Sequence, residues 1–500
     1  MQQENLFAAV DLGSNSFRME IGLLEKGRLR RLDYLKETVR QGSGLDSERQ
    51  LSLHAMQQGW DCLARFGERI AAFHPAQVRA VATQTLREAR NRDVFLAQAN
   101  RALGFPIEII TGREEARLIY LGVSHLLPDS AERRLVVDIG GGSTEIILGQ
   151  GHAPQKVASY RLGSVSWSQK HFAQGWSATA FKAAEIAAQA ILEEALNDFP
   201  RSGWDQAYGS SGTAGAVADI LLAHGRSDGT ISRENLDWLL EKLLRAKQPQ
   251  QLRLEGLKDD RRTVIAGGLA VLRAVFDLLD IGQMQPAQGA LRHGALFDLM
   301  DRDQPDTDVR DRMVGWLASH FGADAAHGQR VATAAETLLR QAWDGDMLGA
   351  PQQQDALRQV RWAALVHEIG IQISHSDHHK HGAYILENTD LQGFTVAELH
   401  RLGLMVLGQR GKLRKLGDAL EEPRFVLQLL ALRLAVVLCH ARRDPDLRGL
   451  QLVNARPSPR FRLALPSSWE SRFPQSLHLL REECVAWHKV GVALELGLAP

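Results

Sequence analysis

Short apolar runs, each long enough for one strand, alternate with longer stretches of helical period through roughly the first 300 residues of this 500-residue chain. Runs at 6–10, 78–82 and 107–110 read as strands, and the patterns at 53–73 and 93–103 read as helices. A second cycle opens at Leu135, with strands near 156–162 and 207–208 and helical runs at 214–222 and 261–279. Such alternation predicts an α/β fold. After Phe297 the texture changes. Residues 300–306 are charged and contain Pro305, as a linker would, and the chain from 309 to about 420 is helical and rich in Ala, Leu and Arg. A last strand-like stretch, 450–465, carries Pro457 and Pro459 and precedes a helical run at 477–485.

Two strand ends carry the most informative chemistry. Val10-Asp11-Leu12-Gly13-Ser14-Asn15-Ser16-Phe17 is echoed 127 residues later by Val137-Asp138-Ile139-Gly140-Gly141-Gly142-Ser143-Thr144-Glu145. Each is an apolar strand ending in Asp, a glycine turn with hydroxyl side chains, and a second apolar strand. Glycine lets the backbone approach a ligand closely, and successive N–H groups can ring a phosphate. Asp11 and Asp138 are placed to hold a hydrated Mg²⁺ beside it. Either turn alone reads as ordinary turn chemistry. The pair, opening two segments of similar size, is an internal repeat that predicts a cleft gripping phosphates from both sides. Its candidate ligands are Ser14, Asn15, Ser16, Gly140, Gly141, Gly142 and Ser143, with Arg18 directly after the first turn. A third loop, Gly209-Ser210-Ser211-Gly212-Thr213, precedes a helical run, and a helix N-terminus after such a loop is an anion site. It adds Ser211, Gly212 and Thr213.

Composition narrows the partners. The 59 Lys and Arg balance 59 Asp and Glu, so any polyanion site must be a local concentration of charge, and nucleic acid is not an expected partner. A chain of this length divides into two to four domains. Cys62, Cys439 and Cys484 show no disulfide or zinc spacing, which predicts an intracellular protein. No signal peptide is visible at the N-terminus, and the apolar run 429–439 is interrupted by Arg433 and too short to span a bilayer.

The two turns resemble those of the actin-like phosphotransferase superfamily. With Thr85-Leu86-Arg87-Glu88-Ala89, Gly112-Arg113-Glu114-Glu115-Ala116-Arg117-Leu118, the Gly209 loop and Gly289-Ala290-Leu291-Arg292, they resemble more narrowly the exopolyphosphatase / guanosine pentaphosphate phosphatase family. Val366-His367-Glu368-Ile369-Gly370 and His379-Lys380-His381-Gly382-Ala383-Tyr384 extend the likeness to the long bacterial form. The resemblance implies two actin-like (ribonuclease H-like) domains forming a cleft, 1–130 and 131–304, then a helical HD-like domain, 305–445, and a small α+β domain, 446–500. It implies Mg²⁺, with a monovalent cation such as K⁺ as a further ion, a homodimer, and a cytoplasmic location extending to the inner face of the cell membrane. The activity it implies is exopolyphosphatase, releasing orthophosphate from the end of inorganic polyphosphate. The alternative is removal of the 5′-terminal phosphate of guanosine pentaphosphate. A sugar or acetate kinase, lowered by the lack of an extended adenosine motif after Thr213, and a non-catalytic nucleotide sensor stand further off.

Glu114 and Glu115 need separating. Thr111-Gly112-Arg113-Glu114 fits a capping box, which turns Glu114 back to the helix start and leaves Glu115 free. Periodicity does not orient Glu115, because 118–121 is apolar all round. The resemblance does: the Glu before Ala-Arg-Leu is the catalytic base, Glu115. It also gives Arg87 a grip on the phosphate, where bidentate guanidinium geometry suits a phosphoryl group. Arg87 is expected in a helix's first turn. Glu145 joins Asp11 and Asp138 as a metal and water ligand. In the C-terminal half, His327, His367, His375, His378, His379 and His381 resemble an HD phosphohydrolase, but the His-Asp pair is His367-Glu368, which predicts a degenerate domain without metal. Arg401, Arg410, Lys412, Arg414 and Lys415 fall within 401–417 without an acidic residue. With His378, His379 and Lys380 they are a candidate track for a long polyphosphate, and a chain ending at Asp303 should then keep activity on short substrates.

Overall fold

The computed structural model describes residues 6–25, 28–301, 308–343, 350–455 and 460–499. They separate into two compact units, one comprising the chain to Asp308 with Asp390–Thr395, the other Val309–Thr389 with the chain from Val396. The residues read as a linker lie mostly at 302–307, outside the described residues, as do Pro457 and Pro459.

The first unit holds two mixed sheets built to one plan. Strands β1 (Leu6–Leu12), β2 (Phe17–Glu25), β3 (Arg28–Glu37), β4 (Val78–Ala82) and β5 (Ile107–Ile109) lie in the order β3-β2-β1-β4-β5. Strands β6 (Arg133–Ile139), β7 (Thr144–Gln150), β8 (Ala153–Tyr160), β9 (Gln206–Ser210), β10 (Ile231–Ser232) and β11 (Gln283–Pro286) lie in the order β10-β11-β9-β6-β7-β8. In each, a strand ending in Asp pairs antiparallel with the strand after its glycine turn and parallel with a later one: β1 with β2 and β4, β6 with β7 and β9. The central strands are covered on both faces, which is why Ala8–Val10 and Leu135–Val137 are apolar without alternation. Register completes the repeat. Asp11 stands opposite Arg18 across one hairpin, and Asp138 opposite Glu145 across the other. Facing residues of an antiparallel pair project to the same side, so both pairs point out of their sheet together.

The helix Gly112–Ser124 begins just after β5, with Thr111 at its N-cap, and packs on β7, β8 and the helix Leu291–Asp301. Every residue from Glu114 to Ser124 is buried, which is the physical reason its sequence shows no orienting stripe. The six residues Asp390–Thr395 also join this unit, and Thr395 pairs with Ile110 beside that N-cap.

The second unit is helical through Val309–His320, Ala325–Ala342, Ala350–Leu365, His378–Asn388, Val396–Gly408 and Pro423–Leu438. It ends in a three-stranded sheet of β12 (Gln451–Ala455), β13 (Arg460–Pro466) and β14 (Ala493–Ala499), with the helix Pro474–His488 packed on β14. Among the described residues no helix is long and apolar enough to cross a membrane.

Candidate active site

The two glycine turns face each other. A Cβ on Gly141 would stand 2.9 Å from Ser14 Cβ and 3.3 Å from the Asn15 nitrogen, so only glycine lets the turns approach this closely. Thr85 Oγ1 donates to Ser14 Oγ at 2.8 Å, and Ser164 and Val165 N–H groups donate to the Gly140 and Gly141 carbonyls. These bonds hold both turns rigid. Between them lies a cavity of about 60 Å³, lined by the turns, Asp11, Glu115, Asp138, Arg18, Ser211, Gly212 and a residue that the sequence pattern did not single out, Arg261.

Asp11, Glu115, Asp138 and Glu145 are each under 10% exposed. Burial pushes the Glu115 carboxyl up to about 7, with Asp138 and Asp11 adding and Arg87 opposing. Burial likewise raises Asp138 to about 6, against hydrogen bonds from Ser210 and Ser211. Glu145 lies well above its ordinary range, through burial and the nearby Glu115 and Asp138, and burial raises Asp11 against the Arg18 and Arg292 charges. Four carboxylates raised by burial, three of them also by the charge of their neighbours, form an all-oxygen donor set short of positive charge. That set fits Mg²⁺, a hard cation that takes carboxylates, water and substrate phosphates.

The guanidinium of Arg87 is engaged with protein groups. Its Nη1 donates to Glu115 Oε2 at 2.8 Å and to the Ile110 carbonyl at 2.9 Å, and its Nη2 to Gln84 Oε1 at 2.8 Å. Arg87 sits in the last turn of the short helix Gln84–Glu88, not in a first turn as the sequence suggested. Ser159 Oγ donates to Glu145 Oε1 at 2.8 Å and fixes that carboxylate. Arg18 lies 3.7 Å from Asp11. Thr213 is corrected as to its side chain alone: it is buried and its hydroxyl donates to the Ile139 carbonyl at 2.9 Å, so the hydroxyl braces β6 against its own helix. Ser211 keeps its place on the cavity in the left-handed region, φ 67°, a strained conformation for a residue with a Cβ.

Glu114 is the second correction. Thr111 Oγ1 does accept from the Glu114 N–H at 3.2 Å, but the Glu114 carboxylate does not return to the helix start. It is fully buried, accepting from Arg117 Nε at 2.7 Å, Arg79 Nη2 at 3.2 Å and the Gly393 N–H at 2.5 Å. Asp298 closes the cluster by pairing with both arginines.

Arg261 reaches so close to the third glycine loop that a Cβ on Gly212 would stand 1.9 Å from its Nη2. In the sequence it sits within Lys258-Asp259-Asp260-Arg261-Arg262, a charge run that reads as solvated surface. A second cavity, of about 380 Å³, shares Arg18, Ser211, Gly212 and Arg261 with the first and adds Tyr34, Lys36, Lys258 and Arg292.

In the second unit, His379 and Lys415 meet at Gly411, where a Cβ would stand 3.6 Å from His379 Nε2 and 3.5 Å from Lys415 Nζ. Lys415 donates to the Arg410 carbonyl at 2.6 Å, and Lys380 pairs with Asp377 at 3.1 Å. His378 is buried with Nδ1 2.9 Å from the His375 carbonyl, while Lys412 and Arg414 are exposed. Arg401 leaves the candidate track, since it pairs with Glu422 at 2.6 Å.

The model of the Ppx/GppA phosphatase family matches residues 24–303, and that of Ppx/GppA phosphatase domain III matches 309–483. The chain belongs to the Ppx/GppA phosphatase family. A Vibrio cholerae serotype O1 relative, guanosine-5′-triphosphate,3′-diphosphate pyrophosphatase, is 39% identical over 472 residues, covering 94% of this chain and 93% of that protein. A relative of the same name from Aeromonas hydrophila is 38% identical over 502 residues, covering 98% of each. An exopolyphosphatase from Cytophaga hutchinsonii superposes with a TM-score of 0.54 at 22% identity, over 59% of this chain and 98% of its own. The Aquifex aeolicus PPX-GPPA enzyme gives a TM-score of 0.50 at 24% identity, over 59% of this chain and 99% of its own. These likenesses show the actin-like fold of the first unit and, with the family match, a phosphatase.

Proposed function

We propose that this Ppx/GppA phosphatase hydrolyses the 5′-terminal phosphate of guanosine-5′-triphosphate,3′-diphosphate, giving the 5′-diphosphate,3′-diphosphate and orthophosphate. The sequence alone put polyphosphate first. The relatives named above favour the nucleotide, and one feature of the site carries the reading. The small cavity between the turns admits a single phosphoryl group, and beside it lies the 380 Å³ cavity lined by Arg18, Lys36, Lys258, Arg261 and Arg292, of which Lys36, Lys258 and Arg292 are paired with Asp260, Asp219 and Glu20. A branched nucleotide needs such width for a nucleoside and a separate diphosphate, whereas a linear polyphosphate does not. Arg261 has no carboxylate paired with it among the described residues, and burial with the Arg18 charge lowers its pKa, as expected of a cation kept for an anionic ligand.

In this reading Glu115 takes a proton from the attacking water as the new P–O bond forms, and the bridging oxygen leaves with its electron pair on the β-phosphate. General-base help of this kind is worth about 10²–10⁴-fold. Arg87 orients Glu115 and holds the charge that develops on it. Backbone N–H groups and hydroxyls of the two turns donate to the non-bridging oxygens, and Arg18 and Arg261 grip the phosphates that remain. Mg²⁺, when held by Asp11, Asp138 and Glu145, supplies neutralisation of phosphoryl charge. Positioning and charge carry most of the catalysis, since phosphoryl transfer asks little covalent chemistry of a protein.

A second reading, exopolyphosphatase, keeps the same chemistry and draws on His379 and Lys415. Steady-state kinetics on both substrates separates the two. Lys36→Ala, which touches only the larger cavity, should lower kcat/KM for the nucleotide by about 10-fold, the worth of one charge-assisted hydrogen bond, and leave polyphosphate nearly unaffected. A wild-type kcat/KM higher on polyphosphate than on the nucleotide would overturn the first reading.

A further inference from the structure

The second unit gathers His327, His367 and Glu368 so that one donor atom from each lies within 4.8 Å of the others. His327 sits in the first turn of Ala325–Ala342, where its N–H donates to the Asp324 cap at 2.9 Å. His367 and Glu368 follow the end of Ala350–Leu365, the helix packed against it. Both imidazoles are buried, at 5% and 3% exposure, with ring centroids 5.4 Å apart and no hydrogen bond between them. His367 is already aimed: its Nδ1 lies 2.6 Å from the Ala364 carbonyl, which fixes the proton there and leaves Nε2 as a lone-pair donor. Its own carbonyl is anchored by Gln409 Nε2 at 2.5 Å. His327 is poorly served by the protein alone. Its Nδ1 is buried without a hydrogen-bond partner, and its Nε2 lies 4.0 Å from Glu368 Oε1, beyond hydrogen-bond reach.

We propose that His327, His367 and Glu368 form a binding site for one divalent transition metal, separate from the phosphatase cleft. Ligand bonds of about 2.0–2.2 Å space neighbouring donors roughly 3–4 Å apart, so the three residues close on the ion by about an ångström. Two imidazoles and one carboxylate select Zn²⁺, Mn²⁺, Fe²⁺ or Co²⁺ over Mg²⁺, which prefers an all-oxygen shell. The sequence argued against a metal here because glutamate follows His367. In the structure a Glu368 carboxylate oxygen nevertheless lies within 4.8 Å of a ring nitrogen of each histidine. One cation already competes for it. Arg442 donates to Glu368 Oε1 at 2.7 Å and to Asp324 Oδ2 at 3.1 Å, and its side chain is 48% exposed, so water can solvate it when a metal takes the carboxylate.

The test is a Co²⁺ titration of the full chain after chelator dialysis, read by visible absorption of the nitrogen-ligated ion. One equivalent should bind to the wild type and equally to Asp138→Asn, which removes a cleft carboxylate. Glu368→Gln, of the same shape, and His327→Ala should each weaken binding by at least about 10-fold, and Arg442→Ala should tighten it. Absence of the band in the wild type, equal affinity in Glu368→Gln, loss in Asp138→Asn, or unchanged binding in Arg442→Ala would overturn the site. Glu368→Gln and Arg442→Ala change partly exposed groups, so the test remains decisive even if His327→Ala fails to fold.

Discussion

Glu114→Gln should unfold this protein more easily, although the helix start alone makes the change look harmless. The Glu114 carboxylate is fully buried, and Arg79 and Arg117 bring two positive charges against it and Asp298. An amide removes one of the two negative charges and points an N–H donor at groups that are themselves donors, including the Gly393 N–H. Breaking a buried ion pair from one side costs about 3–5 kcal/mol. At roughly 2 °C per kcal/mol for a unit of this size, the melting temperature should fall by about 6–10 °C. Burial alone would raise the Glu114 pKa, but Arg117 and Arg79 outweigh it and hold the group below its ordinary value of 4.5. Its contribution is therefore complete above that value and is lost as pH falls through the folded pKa, so variant and wild-type stability curves should converge in acid. Denaturant unfolding monitored against pH checks both points. A midpoint within about 0.5 kcal/mol of wild type at pH 7, the range of ordinary surface substitutions, would refute the reasoning.

Three further outcomes follow from the same geometry. Asp138→Asn should abolish Mg²⁺-dependent phosphate release while His367→Ala leaves the Mg²⁺ dependence intact, measured by titrating activity with Mg²⁺. In the proposed mechanism Glu115 must be ionised to accept a proton, and burial pushes it up to about 7, so kcat/KM should fall as pH drops through that range; in Glu115→Gln the fall should move to the lower pH at which Asp138, pushed up to about 6, takes its proton. A chain ending at Asp303 should lose stability as well as its helical unit, because Asp390–Thr395 supplies the Gly393 N–H to Glu114 and the Thr395 pairing to Ile110. Thermal unfolding of that chain should begin below the first transition of the full protein, so the activity on short substrates expected of it should be assayed well below that temperature.

What the sequence disclosed was local. The two Asp–glycine hairpins could be read because strand, turn and returning strand are continuous in the chain, at 6–25 and 133–150, and their register places Asp11 opposite Arg18 and Asp138 opposite Glu145. The α/β alternation followed from buried apolar runs, whereas the charged edge strand β3 and the short polar β11 carried no such signal. Glu115 could not be oriented by period, since its helix is buried all round, and the resemblance had to supply the role. Glu114 was misread because its partner Gly393 lies 279 residues away, and a capping motif says nothing about such a neighbour. Arg261 was missed because a cation in a charge run is indistinguishable from surface until the glycine loop is seen against it. Substrate rank was illegible for a chemical reason: the same base, turns and carboxylates would serve any terminal phosphoryl group, and the cavity proposed to discriminate is assembled in part from β3, the third loop and the segment before Ile265–Leu278.

The proposed mechanism rests on Glu115 as the base that activates water between the two turns. Single-turnover and steady-state rates of Glu115→Gln on guanosine-5′-triphosphate,3′-diphosphate measure this directly. The amide keeps the shape of the carboxylate and an oxygen for Arg87, and unlike Glu114→Gln it replaces a carboxyl that burial has pushed up to about 7, so substrate affinity should stay near wild type while turnover falls by about 10²–10⁴-fold. Near-normal turnover in Glu115→Gln would contradict the assignment and, with it, the reading of this cleft as the hydrolytic site.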